Sequence, residues 1–505
     1  MRLRKVVPRS PFMTLSYPDL RLSVWKASIL FFLLYGTVLR LWEYGSNYSL
    51  NHDEACLALN ILGRNTSQLT GTLDYEQAAP IGFLVLEKSA VQLLGRGEYA
   101  LRAFPTLCSL ASLFVFWLLA GRLLRELPQL FAIGLFAVAQ VLIVCGAWAK
   151  QYSVEVLASL ALMVICQGLF SASTSGRPFA IRAICAAAIL WFSYSAIFVL
   201  AGVAITLLFA IPGRSRKQHI AYCLPLYVFW LANGLLFFWF AVKPGVHDHA
   251  LIAMHTEQFL PVHSLTQLVP WLWTRFESLG AMATTLRLGA AAVPAVLIGI
   301  TSALARRSRL HLAMIFSVFA CLAASALQRY PFSSRFLFFL IPFTIIFLGE
   351  ALSYILKNAP QRLTAVATVC ALLCLLYISF STFRYQIWNG SGFDDPRGAI
   401  AAMHNEWRMG DKVYLSSAGT PSFLYYRTRF QFKVADYVTA RDPRWDRHAT
   451  NTFARLPVTA GRLWFLYFGD EAIDTQVLRH YGKKAHLLET VRRKYSTAAL
   501  WDLIP

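Results

Sequence analysis

The sequence predicts a polytopic α-helical membrane protein with a separate α/β domain at its C-terminal end. Of the 505 residues, 57% are hydrophobic and 14% are charged, whereas soluble globular chains carry about 25% charged residues. Apolar runs long enough to cross a bilayer recur as far as residue 383. Beyond that residue, charged side chains become frequent and short alternating patterns begin. We therefore divide the chain into a transmembrane domain at residues 1–383 and an α/β domain at residues 384–505.

The transmembrane domain contains about eleven apolar runs of about 17–24 residues, each long enough for the roughly 30 Å hydrocarbon layer. The run at 179–212 is ambiguous, because Ser193-Tyr194-Ser195 interrupts a stretch that could form one long span or two short ones. The predicted spans lie at residues 24–42, 101–120, 128–147, 153–172, 179–195, 196–212, 219–242, 284–304, 309–327, 335–355 and 361–383.

The distribution of Lys and Arg decides that ambiguity and sets the orientation. With two spans in 179–212, the basic loops all fall on the side of the N-terminus, and the opposite short loops carry few charges. This is the positive-inside pattern, so we predict a cytoplasmic N-terminus and an external C-terminus. The formal net charge of +21 is then explained by contact with anionic lipid. It does not indicate a nucleic-acid partner, because no nucleic-acid-binding module is visible.

Three larger segments are predicted on the external side, at residues 43–100, 243–283 and 384–505. In the first, Ile81–Leu94 is apolar but contains Glu87 and Lys88, which predicts a helix lying in the membrane interface. The second segment is rich in histidine. His247-Asp248-His249 could be a metal site or a solvated loop, and we favour the loop because no helical i,i+4 ligand pair accompanies it.

The third external segment has the patterns of a small α/β domain. Asp395–Trp407 predicts a helix that begins at an Asp-Pro pair. Alternating apolar residues predict strands at 411–416, 430–434 and 463–468. A further helix is predicted at Ala472–His480 and a closing hairpin at Ala485–Ile504.

Four consecutive polar residues, Asn51-His52-Asp53-Glu54, follow the first span and are the strongest chemical signal. A second polar stretch in the same loop contains Glu76 and Gln77. The carboxylates could simply be solvated at the membrane surface. They could also accept a proton from a hydroxyl or amine, or bind a divalent cation with neighbouring oxygen ligands. We expect Asp53 and Glu54 to face water.

Basic residues on the external side break the orientation rule. Arg102 opens the second span, Lys150 lies in the turn before the fourth, and Arg329 and Arg335 lie before the tenth. Each alone could be an anchor that reaches the interface. Together they indicate a site that grips the phosphate of a lipid.

These residues occur in motifs that resemble the GT-C superfamily of glycosyltransferases, family 39 type. The group includes protein O-mannosyltransferases, the lipid A aminoarabinose transferase and related transferases of lipopolysaccharide-core sugars. The likeness covers roughly residues 20–355. Its motifs are His52-Asp53-Glu54-Ala55, Gln77–Phe83, Gly95–Pro105, Lys150–Glu155 and Tyr330–Arg335.

The resemblance implies a GT-C fold and an inverting glycosyltransferase that uses a polyprenyl-phosphate-linked sugar and an external acceptor. Asp53 matches the family's general base, and Glu54 would assist or orient it. The other implied roles are binding of the donor phosphate, by Arg102, Lys150, Tyr152 and Arg335, and contact with the acceptor or shaping of the loop, by His52, Glu76 and Gln77.

Two departures from the family bear on this reading. Gln77-Ala78-Ala79-Pro80 replaces the more usual Gln-Pro-Pro, and Lys150 stands where many relatives have Arg. No cofactor is required by the resemblance, although a divalent cation remains an alternative. Bacterial relatives place the protein in the inner membrane. Two rival functions remain. One is a membrane anchor whose external C-terminal domain binds a partner, and the other is a transporter or flippase of lipid-linked sugars. The transporter is disfavoured because the charges gather at span ends and no repeated halves are visible.

Overall fold

The structure is a computed structural model that describes most of the chain. The described residues are 17–171, 175–209, 215–242, 256–262, 264–285, 289–389, 394–416, 418–439, 461–468 and 485–504. Four histidines predicted in the second external loop (His247, His249, His255 and His263) and the predicted helix Ala472–His480 lie outside them.

Helices dominate the first three quarters of the chain. They are α1 Tyr17–Ser46, α2 His52–Gly63, α3 Ile81–Leu94, α4 Glu98–Leu123, α5 Glu126–Val138, α6 Gln140–Val144, α7 Tyr152–Cys166, α8 Gly176–Ile189, α9 Ala196–Leu207, α10 Arg216–Phe237, α11 Leu265–Thr284, α12 Gly289–Ala305, α13 Arg309–Ala326, α14 Ile341–Asn358 and α15 Gln361–Arg384. A 3₁₀ helix, Ser334–Leu340, leads into α14. Most of their apolar side chains form one large core cluster, and those of α2 and α3 belong to a second, smaller one.

The helical runs confirm an integral membrane protein. Within the described residues, seven helices are long and apolar enough to cross a membrane, and up to nine if each bent pair counts as one span. Each predicted apolar run is largely helical over its described residues, but 179–212 forms the short helices α8 and α9. The predicted count of about eleven is reached only if both of these cross the bilayer.

The third span is broken, and a buried arginine explains how the break is tolerated. The axes of α5 and the following segment Gln140–Ala147 differ by 50°. Arg40 of α1 is 1% exposed and donates to the carbonyls of Phe136, at 3.2 Å, and Ala137, at 2.9 Å. A break leaves carbonyls without helical partners, and a cation suits the negative end of a helix. Arg40 therefore stabilises the break that leads into the Lys150 turn.

Ile81–Leu94 is a helix, α3, with the bounds that the sequence predicts. Its first turn packs closely on the turn after α8. A Cβ atom at Gly82 would lie 2.8 Å from the backbone oxygen of Trp191 and from the Phe192 ring. A side chain at this position would therefore force the two segments apart, so glycine in this motif is a packing requirement.

The described residues of the C-terminal domain form a five-stranded sheet with two helices packed on one face. The strands are β1 Lys412–Leu415, β2 Tyr437–Thr439, β3 Gly461–Phe468, β4 Ala485–Arg493 and β5 Ser496–Leu503. Their order is β2-β1-β3-β5-β4, with β1 parallel to β2 and β3 and the remaining pairs antiparallel. Helices α16 Pro396–Asn405 and α17 Gly419–Tyr426 share a buried core with alternate residues of the strands.

The sequence predictions for this domain are largely confirmed. Helix α16 begins at Asp395, whose carboxylate accepts from the amide of Gly398, and the closing hairpin is β4–β5. The strand predicted at 430–434 is wrong. That segment is a turn in which Gln431 has a positive φ of 57°, and its apolar Phe430 and Phe432 pack beneath the helices instead.

Candidate active site

The motif Asn51-His52-Asp53-Glu54 forms the first turn of α2. Asn51 is the N-cap: its side chain accepts from the amide of Glu54, and the Glu54 carboxylate accepts from the amide of Asn51. This capping box fixes the direction of the helix start. The carboxylates of the first turn also suit the positive end of the helix dipole. The local sequence therefore fixes where Asp53 and Glu54 point.

Glu54 does not face water, contrary to the sequence prediction, since it is 1% exposed. Besides the Asn51 amide, its carboxylate accepts from Arg102 Nε at 2.9 Å and Nη2 at 2.8 Å. It also accepts from the amide of Ala149 at 2.9 Å. Because Ala149 precedes Lys150, this buried carboxylate joins the first external loop to the turn that carries the lysine.

Arg102 is equally engaged. It lies in the first turns of α4, is 6% exposed, and also donates to the carbonyls of Tyr48, at 2.6 Å, and Ser49, at 3.2 Å. A guanidinium has five N–H donors in a fixed fork, and four hydrogen bonds to the protein account for most of them. The geometry therefore favours a positioning role for Arg102 over the donor-phosphate contact predicted from the sequence.

Asp53 is the carboxylate that meets the other cations. Its side chain is 22% exposed and forms an ion pair with Arg335, at the start of the 3₁₀ helix before α14. Burial raises the pKa of Asp53, but the charges of Lys150 and Arg335 outweigh burial and hold that pKa below its ordinary value. Three elements far apart in sequence thus bring one carboxylate and two cations together.

Lys150 is buried, at 5% exposure, and its ammonium donates to the side-chain oxygen of Gln77. Burial lowers the pKa of Lys150, and the nearby Arg335 lowers it further, while Asp53 opposes both effects. The second polar stretch of the first loop therefore holds the lysine at the site. Sequence reasoning singled out both residues but gave no sign that they would meet.

Tyr152 and Glu76 border this cluster. Tyr152 is buried, with its ring edge-on to Trp148 and Phe338 at centroid distances of 6.2 and 5.6 Å. The backbone turns sharply at Tyr75 and Glu76, whose φ angles are 61° and 52°. Non-glycine residues rarely adopt this region. The strained turn presents Gln77 to Lys150, which fits the predicted loop-shaping role of this stretch.

His52 faces the C-terminal domain. Its Nδ1 lies 2.8 Å from the carbonyl oxygen of Ala418, and its amide donates to Asp394 Oδ2 at 3.4 Å. A carbonyl oxygen can only accept, so Nδ1 carries the proton. Sequence reasoning missed these contacts, because no local pattern reports a pairing across more than 300 positions.

A metal site was the alternative reading of these polar residues. Across the part of the chain that the structure describes, no group of three or more His, Cys, Asp and Glu side chains could hold a metal ion. The site as described is one of charge pairs: a carboxylate, two cations and a supporting buried ion pair.

The fold class is that of the GT-C membrane proteins, as the motifs predicted. The chain is similar to ArnT from Cupriavidus metallidurans bound to undecaprenyl phosphate, with a TM-score of 0.54 and 12% identity over 94% of this chain and 97% of that one. The apo state of the same protein gives a TM-score of 0.52 and 10% identity over 94% and 98%. At such identities the likeness concerns the fold alone.

A third solved structure is more distant. The oligosaccharyltransferase of Archaeoglobus fulgidus in the apo form covers 79% of this chain and 63% of its own, with a TM-score of 0.47 and 13% identity. This likeness is too low to support an inference. No protein-family model matches the sequence, and no curated protein matches it.

Proposed function

We propose that the chain is an inverting glycosyltransferase that moves a sugar from a polyprenyl-phosphate carrier to a hydroxyl or amine acceptor on the external side of the membrane. One observation carries the proposal: Asp53, Lys150 and Arg335 converge from three elements at the same end of the helical bundle. The ArnT structure with the same fold holds undecaprenyl phosphate, which supports the class of donor.

Lys150 and Arg335 are assigned to the donor phosphate. When the bond between the anomeric carbon and the phosphate oxygen breaks, its electron pair leaves with the phosphate, which gains a negative charge. Two cations fixed beside that oxygen stabilise the charge where it develops. Buried Lys150 is suited to this role because little water screens it.

Asp53 is assigned as the general base. The acceptor attacks the anomeric carbon on the face opposite the phosphate, and its proton passes to the Asp53 carboxylate. A carboxylate with a lowered pKa is a weak base. However, an arriving phosphate competes with Asp53 for Arg335 and Lys150, and this competition raises the pKa of Asp53 when the donor is bound. Binding of the donor thereby makes Asp53 a stronger base.

Glu54 and Arg102 are assigned as positioning residues. Their buried ion pair ties α2 to α4 and, through the Ala149 amide, to the Lys150 turn. Neither carboxylate oxygen of Glu54 is free of protein donors. The two adjacent carboxylates of the motif therefore have different tasks.

Asp53→Asn tests the proposal. General-base catalysis contributes about 10²–10⁴-fold, so we expect transfer to fall by about that factor while the protein remains folded. Purified protein in lipid nanodiscs would be given a panel of polyprenyl-phosphate sugars with candidate acceptors, and products read by mass spectrometry.

Asp74→Asn is the matched control for Asp53→Asn. Asp74 lies in the same loop, but its partly exposed carboxylate forms a surface ion pair with Arg64 at 2.9 Å, and such pairs contribute little. Full activity of Asp53→Asn would remove Asp53 as the base. Movement of intact lipid-linked sugar across the bilayer with no transfer product would favour the rival transporter.

A further inference from the structure

The C-terminal domain lies directly on the loop that leads into α2. Helix α17 packs against α2, and Tyr425 and Tyr426 lie at this junction. The contacts are polar as well as apolar, and they fall on the segment that contains Asp53. That segment is residues 47–54, which we call the base loop.

Four residues of the base loop are held from the C-terminal domain. Arg397 Nη2 donates to the carbonyl of Asn47 at 2.8 Å. The Ser49 hydroxyl donates to Asp395 Oδ1 at 2.6 Å, and the amide of Leu50 donates to the Tyr426 hydroxyl at 2.9 Å. His52 contacts Asp394 and Ala418, as described above.

The opposite side of the base loop is held by the transmembrane domain. Arg102 binds the carbonyls of Tyr48 and Ser49 and the carboxylate of Glu54. The loop is therefore clamped between two parts of the chain, and Asp53 follows the clamped residues directly. Among the described residues, the Asp53 carboxylate forms its ion pair with Arg335, so its position depends largely on the backbone before it.

We propose that the C-terminal domain is a working part of the active site, and that Tyr426 is a positioning residue for the Asp53 base through the Leu50 amide. This proposal rests on the proposed function for its catalytic consequence, but the clamp itself is a property of the fold. Tyr426 is 1% exposed and Leu50 is fully buried, so water cannot replace the hydroxyl if it is removed.

The test compares Tyr426→Phe with Tyr425→Phe in the full-length protein in nanodiscs. Tyr425 is the next residue of the same helix, and its hydroxyl donates to the carbonyl of Arg96 at 3.3 Å, outside the base loop. Both variants lose one hydroxyl and one hydrogen bond to backbone. Only Tyr426→Phe releases the base loop.

The first readout is hydrogen exchange. We expect exchange in residues 47–54 to accelerate by about 3-fold to 10-fold in Tyr426→Phe, as the loss of one buried hydrogen bond implies, and to stay unchanged in Tyr425→Phe. Ser49→Ala, which removes the Asp395 contact, is expected to have the same effect and serves if Tyr426→Phe does not fold. Exchange at the wild-type rate in both Tyr426→Phe and Ser49→Ala would overturn the proposal.

The second readout is transfer kinetics. A displaced base slows the chemical step without weakening donor binding, so we expect Tyr426→Phe to lower kcat by about 10-fold or more with the donor KM nearly unchanged. If Tyr426→Phe accelerates hydrogen exchange but leaves kcat unchanged, the contact restrains the base loop without affecting catalysis, and the positioning role of Tyr426 is overturned. If wild-type protein transfers no sugar, the proposed function fails while hydrogen exchange still decides the clamp.

Discussion

Adjacent residues of one motif have opposite environments in this protein. Asp53 is partly exposed and meets Arg335, whereas Glu54 is buried and bonded on all sides. The sequence identifies the pair as chemically important but cannot assign the two roles. Because they are successive residues of a helix, Asp53 points toward Lys150 and Arg335, and Glu54 points toward α4. The ion pair with Arg102 gives Glu54 a structural role.

Lys150 gives the site a pH dependence at the alkaline side. Burial and Arg335 lower the pKa of Lys150, with Asp53 opposing. In its proposed role Lys150 binds phosphate only while protonated, so kcat/KM for the donor should fall as pH rises through a pKa below the ordinary lysine value of about 10.4. The pH profile of kcat/KM reports the free enzyme and measures this directly.

Lys150→Arg is the variant that isolates this effect. Arginine stays protonated across the accessible range, so the alkaline fall should move to higher pH or vanish, even if the changed geometry lowers the maximum rate. An alkaline fall at the same pH in Lys150→Arg would show that another group titrates.

At the scale of elements, the sequence predicts where the helices lie in the chain but not which elements pack against one another. Ile81–Leu94 is recognised as a helix from its apolar composition, because that signal is local. The turn at 430–434 is mistaken for a strand, because its apolar residues alternate although they pack under α16 and α17. In this turn, packing against the helices requires apolar residues at alternate positions, which is the same pattern that a half-buried strand shows.

Helix α3 carries a buried carboxyl that should cost stability at neutral pH. Glu87 is fully buried, and neither of its oxygens has a hydrogen-bond partner among the described residues. Burial raises the pKa of Glu87 well above its ordinary value. The unfolded chain releases this proton at lower pH than the folded chain does. The stability contributed by the protonated Glu87 carboxyl is therefore fully present below the pKa of Glu87 in the unfolded chain. It is lost as pH rises toward the higher pKa of Glu87 in the folded chain.

Glu87→Gln removes this loss, since glutamine does not titrate. We expect the thermal stability of the variant relative to wild type to increase between about pH 5 and pH 8. Glu126→Gln, which removes an exposed carboxylate at the start of α5, is the matched control. A stability difference for Glu87→Gln that does not change with pH would contradict a protonated Glu87.

At the scale of the whole molecule, the sequence motifs locate the site and the fold assembles it. The motif residues 52–54, 77, 150 and 335 are all identifiable from the sequence, yet their convergence depends on helix packing that no local pattern encodes. The part played by the C-terminal domain was not predicted, since its contacts come from Asp394, Asp395 and Tyr426, which carry no motif. Membership of the site is therefore a local property, and its geometry is a global one.

The proposed chemistry requires the site and the C-terminal domain to lie on the external side of the membrane. The charge distribution predicts this orientation, and two exposed positions on predicted opposite sides of the membrane can test it. Met409 lies in the turn before β1 and is fully exposed. Arg307 lies in the turn between α12 and α13 and is exposed. Its neighbour Arg306 forms an ion pair with the buried Glu350 of α14.

We expect Met409→Cys to react with a membrane-impermeant maleimide in intact cells, and Arg307→Cys to react only after permeabilisation. The background should lack Cys185 and Cys370, the exposed thiols among the nine cysteines. Labelling of Arg307→Cys before permeabilisation, with Met409→Cys protected, would show that the protein has the opposite orientation in the membrane. Asp53 would then face the cytoplasm, where the proposed external acceptor could not reach it. The external transfer reaction is therefore possible only in the predicted orientation.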